Sequence, residues 1–497
     1  MLQIKNLSFT HLKDLSQLLN QLSITIHSGD KVAIIGEEGT GKSNLLKYLY
    51  NPNCLEDYLQ VSGQVHSDYN KVLYLPQELE SETAAKRLTD YIYNEEDLAH
   101  LDLNSFFQLA QACHFNLDLL DKEDISLVDL SGGERIKLQV IKALAMNPDC
   151  LLLDEPSSDL DLDTLIWLEK IIRETDQTVI FISHDESFLS SCATAVLHLE
   201  LTQKRRKPKW TFFKGSYPEY KNHRQEEYDK QLQIATKERD DFQKKEAKQK
   251  RIQSSLHHQL NATKDSTAGR LLAKKMKNIK SQERKLSIAE EELTEIPDQL
   301  ESISIFFSNI EQLASNKTLL HWENRQLETG QKINLSIRAQ DKIVITGDNG
   351  IGKSLLLKEI VAELSQNASF SWSYMPQNYD DLMSTDEKIL DFLAFDDLEK
   401  ARSLLASLQF TREEINHGTS KLSGGQKAKL FLAKMVLHKS QLLILDEPTR
   451  HFSPTSQPLV RDLFANFPGA IISVSHDRAF IEQDYLKKYH LNTSNLL

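Results

Sequence analysis

The sequence predicts an α/β protein in which two similar domains are joined by a long helical segment. The first observation is a repeat: the motif GEEGTGKS, which begins at Gly36, recurs as GDNGIGKS at Gly347. The second is that each motif follows an apolar, strand-like run and precedes a helix-like run. The third is that a basic stretch with little glycine or proline lies between the two halves. Repeated strand–loop–helix units predict parallel sheets covered by helices.

Three later motifs repeat in the same order at one constant spacing. LSGGE, LLLDEP and ISHD of the first half recur as LSGGQ, LILDEP and VSHD in the second half. A shared register over three motifs indicates two homologous domains. We expect the first domain at residues 1–205, a linker at 206–298 and the second domain at 299–497. A spacing of 292 residues separates the members of each pair, which are Ser131 and Ser423, Asp154 and Asp446, and His184 and His476.

The bulk composition excludes several classes of protein. The chain has 497 residues and a net charge of −13, so more than one domain is expected, and the whole molecule is no general nucleic-acid binder. Its four cysteines form no CxxC pair, which predicts a reduced protein without structural zinc. The first residues, MLQIKNLSFT, show no basic stretch followed by an apolar one, as a secretory leader would, and no apolar run approaches the roughly 20 residues that span a bilayer. We therefore expect a cytoplasmic protein with no membrane partner.

The segment between the halves has the opposite charge. Residues 204–290 contain 24 lysines and arginines and 11 acidic residues, a net of +13, while the rest of the chain carries −26. Its composition predicts helix, and residues 254–269, rich in Ser, Thr and Asn, predict a break. We expect an arm of two antiparallel helices with a tip near 254–269. A solvated linker is the plain alternative, but the positive charge between acidic flanks favours an arm that faces nucleic acid.

The two GxxxxGKS motifs carry the chemistry of a phosphate-binding loop. Their glycines let backbone N–H groups approach phosphate oxygens, the lysine meets the β- and γ-phosphates of ATP, and the serine hydroxyl ligates Mg²⁺. Both stand between an apolar strand and a helix, which is the context that this chemistry requires. The predicted ATP-binding residues of these loops are Gly36, Gly39, Gly41, Lys42 and Ser43 in the first half, and Gly347, Asn349, Gly350, Gly352, Lys353 and Ser354 in the second.

An aspartate and a glutamate end an apolar strand in each half. The aspartates, Asp154 and Asp446, are placed to hold Mg²⁺ together with Ser43 and Ser354. The glutamate that follows each aspartate can orient or deprotonate the attacking water, and a histidine 30 residues after each aspartate can contact the γ-phosphate. The predicted catalytic residues are Glu155, Glu447, His184 and His476, and Gln77 and Gln377 are predicted to line the same sites.

The order P-loop, glutamine, LSGG, DE and histidine resembles the ATP-binding cassette (ABC) ATPases in both halves. In that family LSGG completes the ATP site of the opposite domain. The resemblance implies two tandem ABC-type P-loop ATPase domains in a monomer that holds two ATP molecules between its halves and opens after hydrolysis. The residues that it adds to the ATP sites are Ser131, Gly132 and Gly133, which would face Lys353, and Ser423, Gly424 and Gly425, which would face Lys42.

Two such domains on one chain, with a basic helical arm between them, resemble the ABC-F family. The motif GSYPEY at Gly215 is similar to that family's entry into the arm. The resemblance implies binding to the E site of the bacterial 70S ribosome, with the arm against 23S rRNA and P-site tRNA. The implied RNA-contact and tip residues are Lys244, Lys245, Lys248, Arg251, Leu256, His257, His258, Leu260, Arg270, Lys274 and Lys275.

A finer resemblance concerns antibiotic resistance. DEPTRHFSP and the short stretch between Lys42 and Gln77 are similar to the Lsa/Vga-type ABC-F members, which displace lincosamide, streptogramin A and pleuromutilin drugs from the ribosome. Three alternatives stay open. They are an ABC-F translation factor with no drug role, the ATPase subunit of a drug exporter, and a DNA-structural or repair ATPase of the same superfamily.

The two halves also differ at positions close to the phosphates. Glu38 stands where the second half has Asn349, so an acid lies beside the phosphates of the first site. We therefore expect the two ATP sites to be unequal. Both Phe9 and His11 stay open as the side chain that stacks on adenine in the first half.

Overall fold

The computed structural model describes residues 1–55, 57–98, 100–120, 122, 125–157, 160, 162–202, 207–262, 307, 310–347, 350–384 and 387–491. The chain divides into two compact units. One unit combines Met1–Pro218 with Ser302–Leu497, and the other is Glu219–Glu301. Both halves of the repeat therefore belong to the first unit.

Two sheets form the frame of the first half. The smaller sheet is antiparallel with strand order β2-β1-β4, and the larger has the order β5-β6-β7-β3-β8-β9. The larger sheet is parallel except for β9, which runs antiparallel to β8. The strands are β1 (Leu2–His11), β2 (Gln17–Ile26), β3 (Lys31–Ile35), β4 (Leu59–Ser67), β5 (Val72–Leu75), β6 (Cys150–Asp154), β7 (Thr178–Ile182), β8 (Ala195–Leu201) and β9 (Lys207–Lys214).

Helices pack on both faces of the larger sheet, as expected for strands buried on both sides. All five side chains are buried in each of β3, β6 and β7. The first helix shares an apolar core with both sheets, while the third, fifth and sixth helices belong to a second core. The helices are α1 (Lys42–Tyr50), α2 (Ser81–Ala84), α3 (Leu88–Ile92), α4 (Glu95–Leu98), α5 (Leu103–Ala112), α6 (Gly132–Ala145), α7 (Leu162–Glu174) and α8 (Glu186–Cys192).

The second half repeats this plan. A parallel sheet has the strand order β13-β14-β15-β12-β16, and a separate antiparallel pair joins β10 to β11. The strands are β10 (Thr318–Gln326), β11 (Lys332–Arg338), β12 (Lys342–Thr346), β13 (Trp372–Met375), β14 (Leu442–Asp446), β15 (Ala470–Val474) and β16 (Lys487–His490). The helices, numbered after the linker helix α9 (Tyr217–Ala262), are α10 (Lys353–Asn367), α11 (Ile389–Leu393), α12 (Leu398–Ser407), α13 (Arg412–Ile415), α14 (Gly424–Leu437), α15 (Gln457–Ala465) and α16 (Arg478–Ile481).

The segment between the halves differs from the prediction at two points. Residues 207–214, which were expected in the linker, form β9 and complete the first sheet, because Trp210, Phe212 and their neighbours suit a strand better than an arm. The predicted break at 254–269 begins too early, because α9 continues through residue 262. Polar side chains alone do not end a helix when glycine and proline are absent. Within the described ranges, no helix combines the length and apolar character needed to cross a bilayer.

Candidate nucleotide site

A cavity of about 540 Å³ lies between the two halves, within the range of small-molecule sites. From the first half it is lined by the P-loop with Lys42 and Ser43, and by the ends of the neighbouring parallel strands. The second half contributes residues that follow β14 and β15. The carboxyl ends of parallel strands are where α/β proteins bind ligands. The lining residues that the sequence predicted are Gly39, Gly41, Lys42, Ser43, Gln77, Glu155, His184, Glu447 and His476.

Each P-loop curls around its lysine. The Nζ of Lys42 donates to the carbonyl oxygens of Gly36, at 2.8 Å, and Glu37, at 2.9 Å. In the second half, the Nζ of Lys353 donates to the carbonyl oxygen of Gly347 at 2.7 Å. Burial lowers the pKa of Lys42. The loops thus hold each cation at the N-terminus of a helix, where an anion is favoured.

The two strand-end aspartates lie beside the P-loop serines. The Oγ of Ser43 donates to Asp154 Oδ1 at 3.1 Å, and the Tyr74 hydroxyl donates to Asp154 Oδ2 at 3.0 Å. Ser354 hydrogen-bonds to Asp446, whose Oδ1 is buried and has no hydrogen-bond partner among the described residues. Burial raises the pKa of both aspartates. Hydroxyl and carboxylate oxygens in this arrangement fit Mg²⁺, which prefers oxygen ligands.

The two glutamates have the same unusual backbone but different surroundings. Glu155 has φ +52° and Glu447 has φ +53°, a left-handed conformation that is uncommon outside glycine. Glu155 accepts a hydrogen bond from the Nε2 of Gln77 at 2.9 Å, and its Oε1 lies 3.4 Å from His184 Nε2. Glu447 instead accepts from the backbone N–H of His476 at 3.1 Å. Its burial raises the pKa of Glu447 to about 8.

The raised pKa of Glu447 predicts a pH-dependent stability. The native state holds a proton on this carboxyl between its ordinary pKa of about 4.5 and its native pKa of about 8, whereas the unfolded state does not. The stabilisation of the native state by the protonated Glu447 carboxyl is therefore fully present below pH 4.5 and is lost as the pH rises through 8. We expect Glu447→Gln to raise Tm by about 3–10 °C at pH 8 and by less at pH 5, measured by thermal unfolding without nucleotide. The exposed Glu399→Gln is the control, and a Tm difference that does not grow with pH contradicts the assignment.

The second LSGG motif contacts the first P-loop. The backbone N–H of Gly425 donates to Glu38 Oε2 at 3.3 Å, and a Cβ on Gly424 would approach Glu38 Oε1 to 2.8 Å. Lys429 of α14 lies 3.5 Å from Glu37 Oε1. Ser423 accepts from the N–H of Gln426 and so caps α14. The structure therefore brings Gly424 and Gly425 to the loop that holds Lys42, while Ser423 caps the same helix.

The first LSGG motif is in a different position. Ser131 caps α6 by accepting from the N–H of Glu134. Ser131 and Gly132 are exposed and Gly133 is buried, whereas Ser423, Gly424 and Gly425 are all half-buried. Asn349 of the second P-loop lies outside the described residues. The expected approach of Ser131 to Lys353 therefore stays a prediction.

Glu38 places an acid where the first P-loop meets the opposite helix. Its Oε1 lies 3.4 Å from His451 Nδ1. Burial by itself would raise the pKa of Glu38, but the hydrogen bond and charge of His451 and the N–H of Gly425 outweigh it, so the pKa is lowered. The carboxylate thus occupies an anion-binding helix N-terminus that faces the P-loop.

The position of the Glu38 carboxylate predicts that its removal increases the affinity of the first site for ATP. Because Glu38 and a bound triphosphate are both anions, we expect Glu38→Asn to lower the Kd for ATP at the first site by about 3- to 10-fold. Titration with a fluorescent ATP analogue measures it. Glu37→Gln is the control. It also removes one negative charge from this loop, but the charge that it removes is paired with Lys429. An equal gain in both variants contradicts the special role of Glu38.

Sequence reasoning missed Gln457, which ties the halves together. Its Nε2 donates to the His184 carbonyl oxygen of the first half at 2.8 Å, and to the carbonyl oxygens of Thr449 at 3.3 Å and Phe452 at 3.4 Å in the second half. Gln457 is buried at the start of α15. Gln457 belongs to none of the repeated motifs. Its position in the sequence shortly after the second DE pair is the one signal that could have indicated a role near the site.

The remaining predicted residues are placed as follows. His11 lines the cavity, whereas Phe9 is buried in the core against Tyr48, and the stacking of either side chain on adenine stays a prediction. Gln377 is half-buried just after β13. The side chains of Lys244, Lys245, Lys248, Arg251 and His258 are exposed on α9. The side chains of Leu256, His257 and Leu260, and all of Arg270, Lys274 and Lys275, lie outside the described residues.

Comparison with protein families gives the same assignment as the geometry. Residues 19–158 and 330–450 match the family described as ABC transporter, and together these ranges cover both P-loops and both DE pairs. The chain belongs to the ABC transporter family. It is an ABC ATPase with two tandem ATP-binding domains, which confirms the fold and the enzyme class predicted above.

Several relatives of this ABC protein are similar over nearly its whole length. It is 28% identical to ABC transporter F family member 5 of Arabidopsis thaliana, over 94% of this chain and 71% of the relative. It is 27% identical to the ribosome protection protein VmlR of Bacillus subtilis, over 96% and 85%, and 26% identical to the ATP-binding protein Uup of Escherichia coli, over 94% and 76%. Its homologues are thus of ABC-F type.

A solved structure agrees with the tandem arrangement. The fold of the RNase-L Inhibitor matches with a TM-score of 0.58 at 16% identity, over 99% of this chain and 89% of that one. The ribosome-bound archaeal Pelota and ABCE1 model matches with a TM-score of 0.57 at 17% identity, over 98% and 76%. These likenesses concern the fold.

Proposed function

We propose that this ABC-F-type ATPase binds the bacterial 70S ribosome at the E site and displaces antibiotics from the peptidyl-transferase centre. The observation that carries the proposal is the charge of α9, in a chain 27% identical to a ribosome protection protein over 96% of its length. The drugs are lincosamides, streptogramin A and pleuromutilins.

The far part of α9 supports an RNA partner. Residues 242–262 contain five lysines and arginines and one acidic residue. Residues 217–241 also contain five lysines and arginines, but they contain seven acidic residues. Lys244, Lys248 and Arg251 follow one another at helical spacing, so they share a face. No ion pair neutralises Lys248 or Arg251 within the described ranges. Exposed cations on one face suit the phosphates of rRNA and tRNA.

In the proposed cycle ATP binds in the cavity and holds the halves together. Lys42 and Lys353 bind the phosphates, and Mg²⁺, held by Ser43 with Asp154 and by Ser354 with Asp446, would neutralise the charge that develops on them. Glu155, oriented by Gln77, accepts a proton from the attacking water, and His184 stands beside it. Glu447 and His476 take the corresponding positions in the second half, where Glu447 accepts a proton only in its ionised form, because its burial raises its pKa. Release of phosphate then lets the protein leave the ribosome.

The test is to pellet bacterial 70S ribosomes through sucrose with ATP, with and without lincomycin. Glu155→Gln with Glu447→Gln is used to slow hydrolysis. We expect the variant in the pellet and lincomycin lost from those particles. A pellet that keeps its drug leaves an ABC-F translation factor and overturns the resistance role. Protein that stays in the supernatant overturns ribosome binding altogether.

A matched pair of charge reversals tests the arm. Lys248→Glu with Arg251→Glu should lower the ribosome affinity by about 10-fold or more and reduce its dependence on salt. Lys230→Glu with Lys237→Glu changes the same helix by the same charge, in the part of α9 that is already acidic. Equal losses in the two variants would show that the far part of α9 has no special contact.

A further inference from the structure

Two ion pairs join the halves immediately after the ISHD and VSHD motifs. The carboxylate of Glu186, the first residue of α8, contacts the guanidinium of Arg461 in α15. The guanidinium of Arg478, the first residue of α16, contacts Glu169 in α7. Arg461 and Glu169 are only 7% and 9% exposed. Because water is largely excluded, these pairs are not ordinary surface salt bridges.

The four residues occupy two equivalent positions of the repeat. Glu186 and Arg478 are separated by 292 residues, and so are Glu169 and Arg461. The same spacing relates the repeated motifs of the two halves. Each ion pair therefore joins the first residue of the helix after the SHD motif in one half, Glu186 or Arg478, to the equivalent of Glu169 or Arg461 in the other half. The first half carries a glutamate at both positions, and the second half carries an arginine at both.

This distribution distinguishes unlike from like pairs of halves. When the first half meets the second, both contacts join an acid to an arginine. When two first halves meet in the same way, both contacts oppose two glutamates, and two second halves oppose two arginines. Like charges at buried contacts are strongly unfavourable, which is a common device for rejecting the wrong partner.

We propose that Glu169, Glu186, Arg461 and Arg478 form a charge code that fits each half only to the unlike half. The surface formed by these residues pairs the two halves of one chain and rejects association of like halves from separate chains.

Other charges face these pairs and decide which one is the better test. Arg461 also donates from Nη1 to Asp477 Oδ2 of its own half at 3.0 Å, so reversing its charge would disturb the second half itself. The charge of Arg478 acts on Asp185 as well as on Glu169, and both belong to the first half. Changes at Arg478 and Glu169 therefore report mainly on the contact between halves.

The test is a charge exchange in the full chain. Arg478→Glu and Glu169→Arg should each lower kcat/KM for ATP by about 10-fold and enlarge the radius of gyration measured by X-ray scattering with a non-hydrolysable ATP analogue bound. The double variant should return to within about 3-fold of the unchanged protein and to its compact size, with Asp185 limiting full recovery. Losses that multiply in the double variant overturn the proposal.

Two further variants keep the test decisive. Lys487→Glu reverses one charge of an ion pair with Asp341 inside the second half and should change neither measurement. If the reversed variants fail to fold, Glu169→Gln and Arg478→Gln replace them, because each alone leaves one member of the ion pair without its counter-charge, while the two together remove both charges of the pair. Recovery in that double variant supports the code, and additive losses overturn it.

Discussion

Replacing Glu155 and Glu447 together by glutamine should slow ATP hydrolysis by about 10²- to 10⁴-fold while ATP still binds. Both side chains line the cavity, and both stand one residue after the aspartate at the end of a buried strand. Glutamine keeps the size of the side chain but cannot accept a proton from water. Phosphate release measures the rate, and a fluorescent ATP analogue measures binding.

The single variants separate the two sites. Glu155 is positioned by Gln77 and His184, whereas Glu447 is more deeply buried, so we expect unequal losses from the two single changes. Glu186→Gln is not a suitable control because Glu186 contacts Arg461. Glu82→Gln, at an exposed glutamate of α2, is suitable. Hydrolysis that survives in the double variant would show that another group activates the water.

Replacing Gly36 by alanine should destabilise the first half much more than replacing Gly39 in the same loop. A Cβ at this position would lie 2.1 Å from the carbonyl oxygen of Leu199 in β8, and its φ is +146°. Because backbone cannot move aside cheaply, we expect a loss of unfolding free energy on the order of 3–5 kcal/mol, measured with urea.

Gly39 provides the matched control for that change. It also has a positive φ, of +79°, but a Cβ there would meet nothing within 4 Å. Gly39→Ala should therefore cost only the backbone strain, about 1–2 kcal/mol. Similar losses in the two variants would mean that the approach to Leu199 is unimportant and that strain alone decides.

The parts of the candidate site that could be placed from sequence are those that a local motif fixes relative to a strand or a helix. The serine that ends a glycine-rich loop and the aspartate that ends a buried strand are expected at one edge of a parallel sheet, and Ser43 and Asp154 lie within hydrogen-bond distance there. The P-loop, the DE pairs and the second LSGG motif could therefore be placed from sequence and family resemblance.

Other features depend on contacts that no local pattern encodes. Gln457 and Glu38 act across the boundary between the halves, so their roles depend on how two domains pack. The extent of α9 was misjudged because serine, histidine and asparagine occur both in loops and in helices. Strand β9 was assigned to the arm because its lysines obscured the Trp and Phe residues that pack in the sheet.

The side-chain amide of Gln457 donates to backbone carbonyl groups of both halves. One is the carbonyl of His184 in the first half, and the others are carbonyls just after the DE pair of the second half. The amide nitrogen carries two hydrogens, so one can stay on the His184 carbonyl while the other is shared by the carbonyls of Thr449 and Phe452. Gln457 thus fixes the distance between the loop that follows β7 in the first half and the loop that follows β14 in the second.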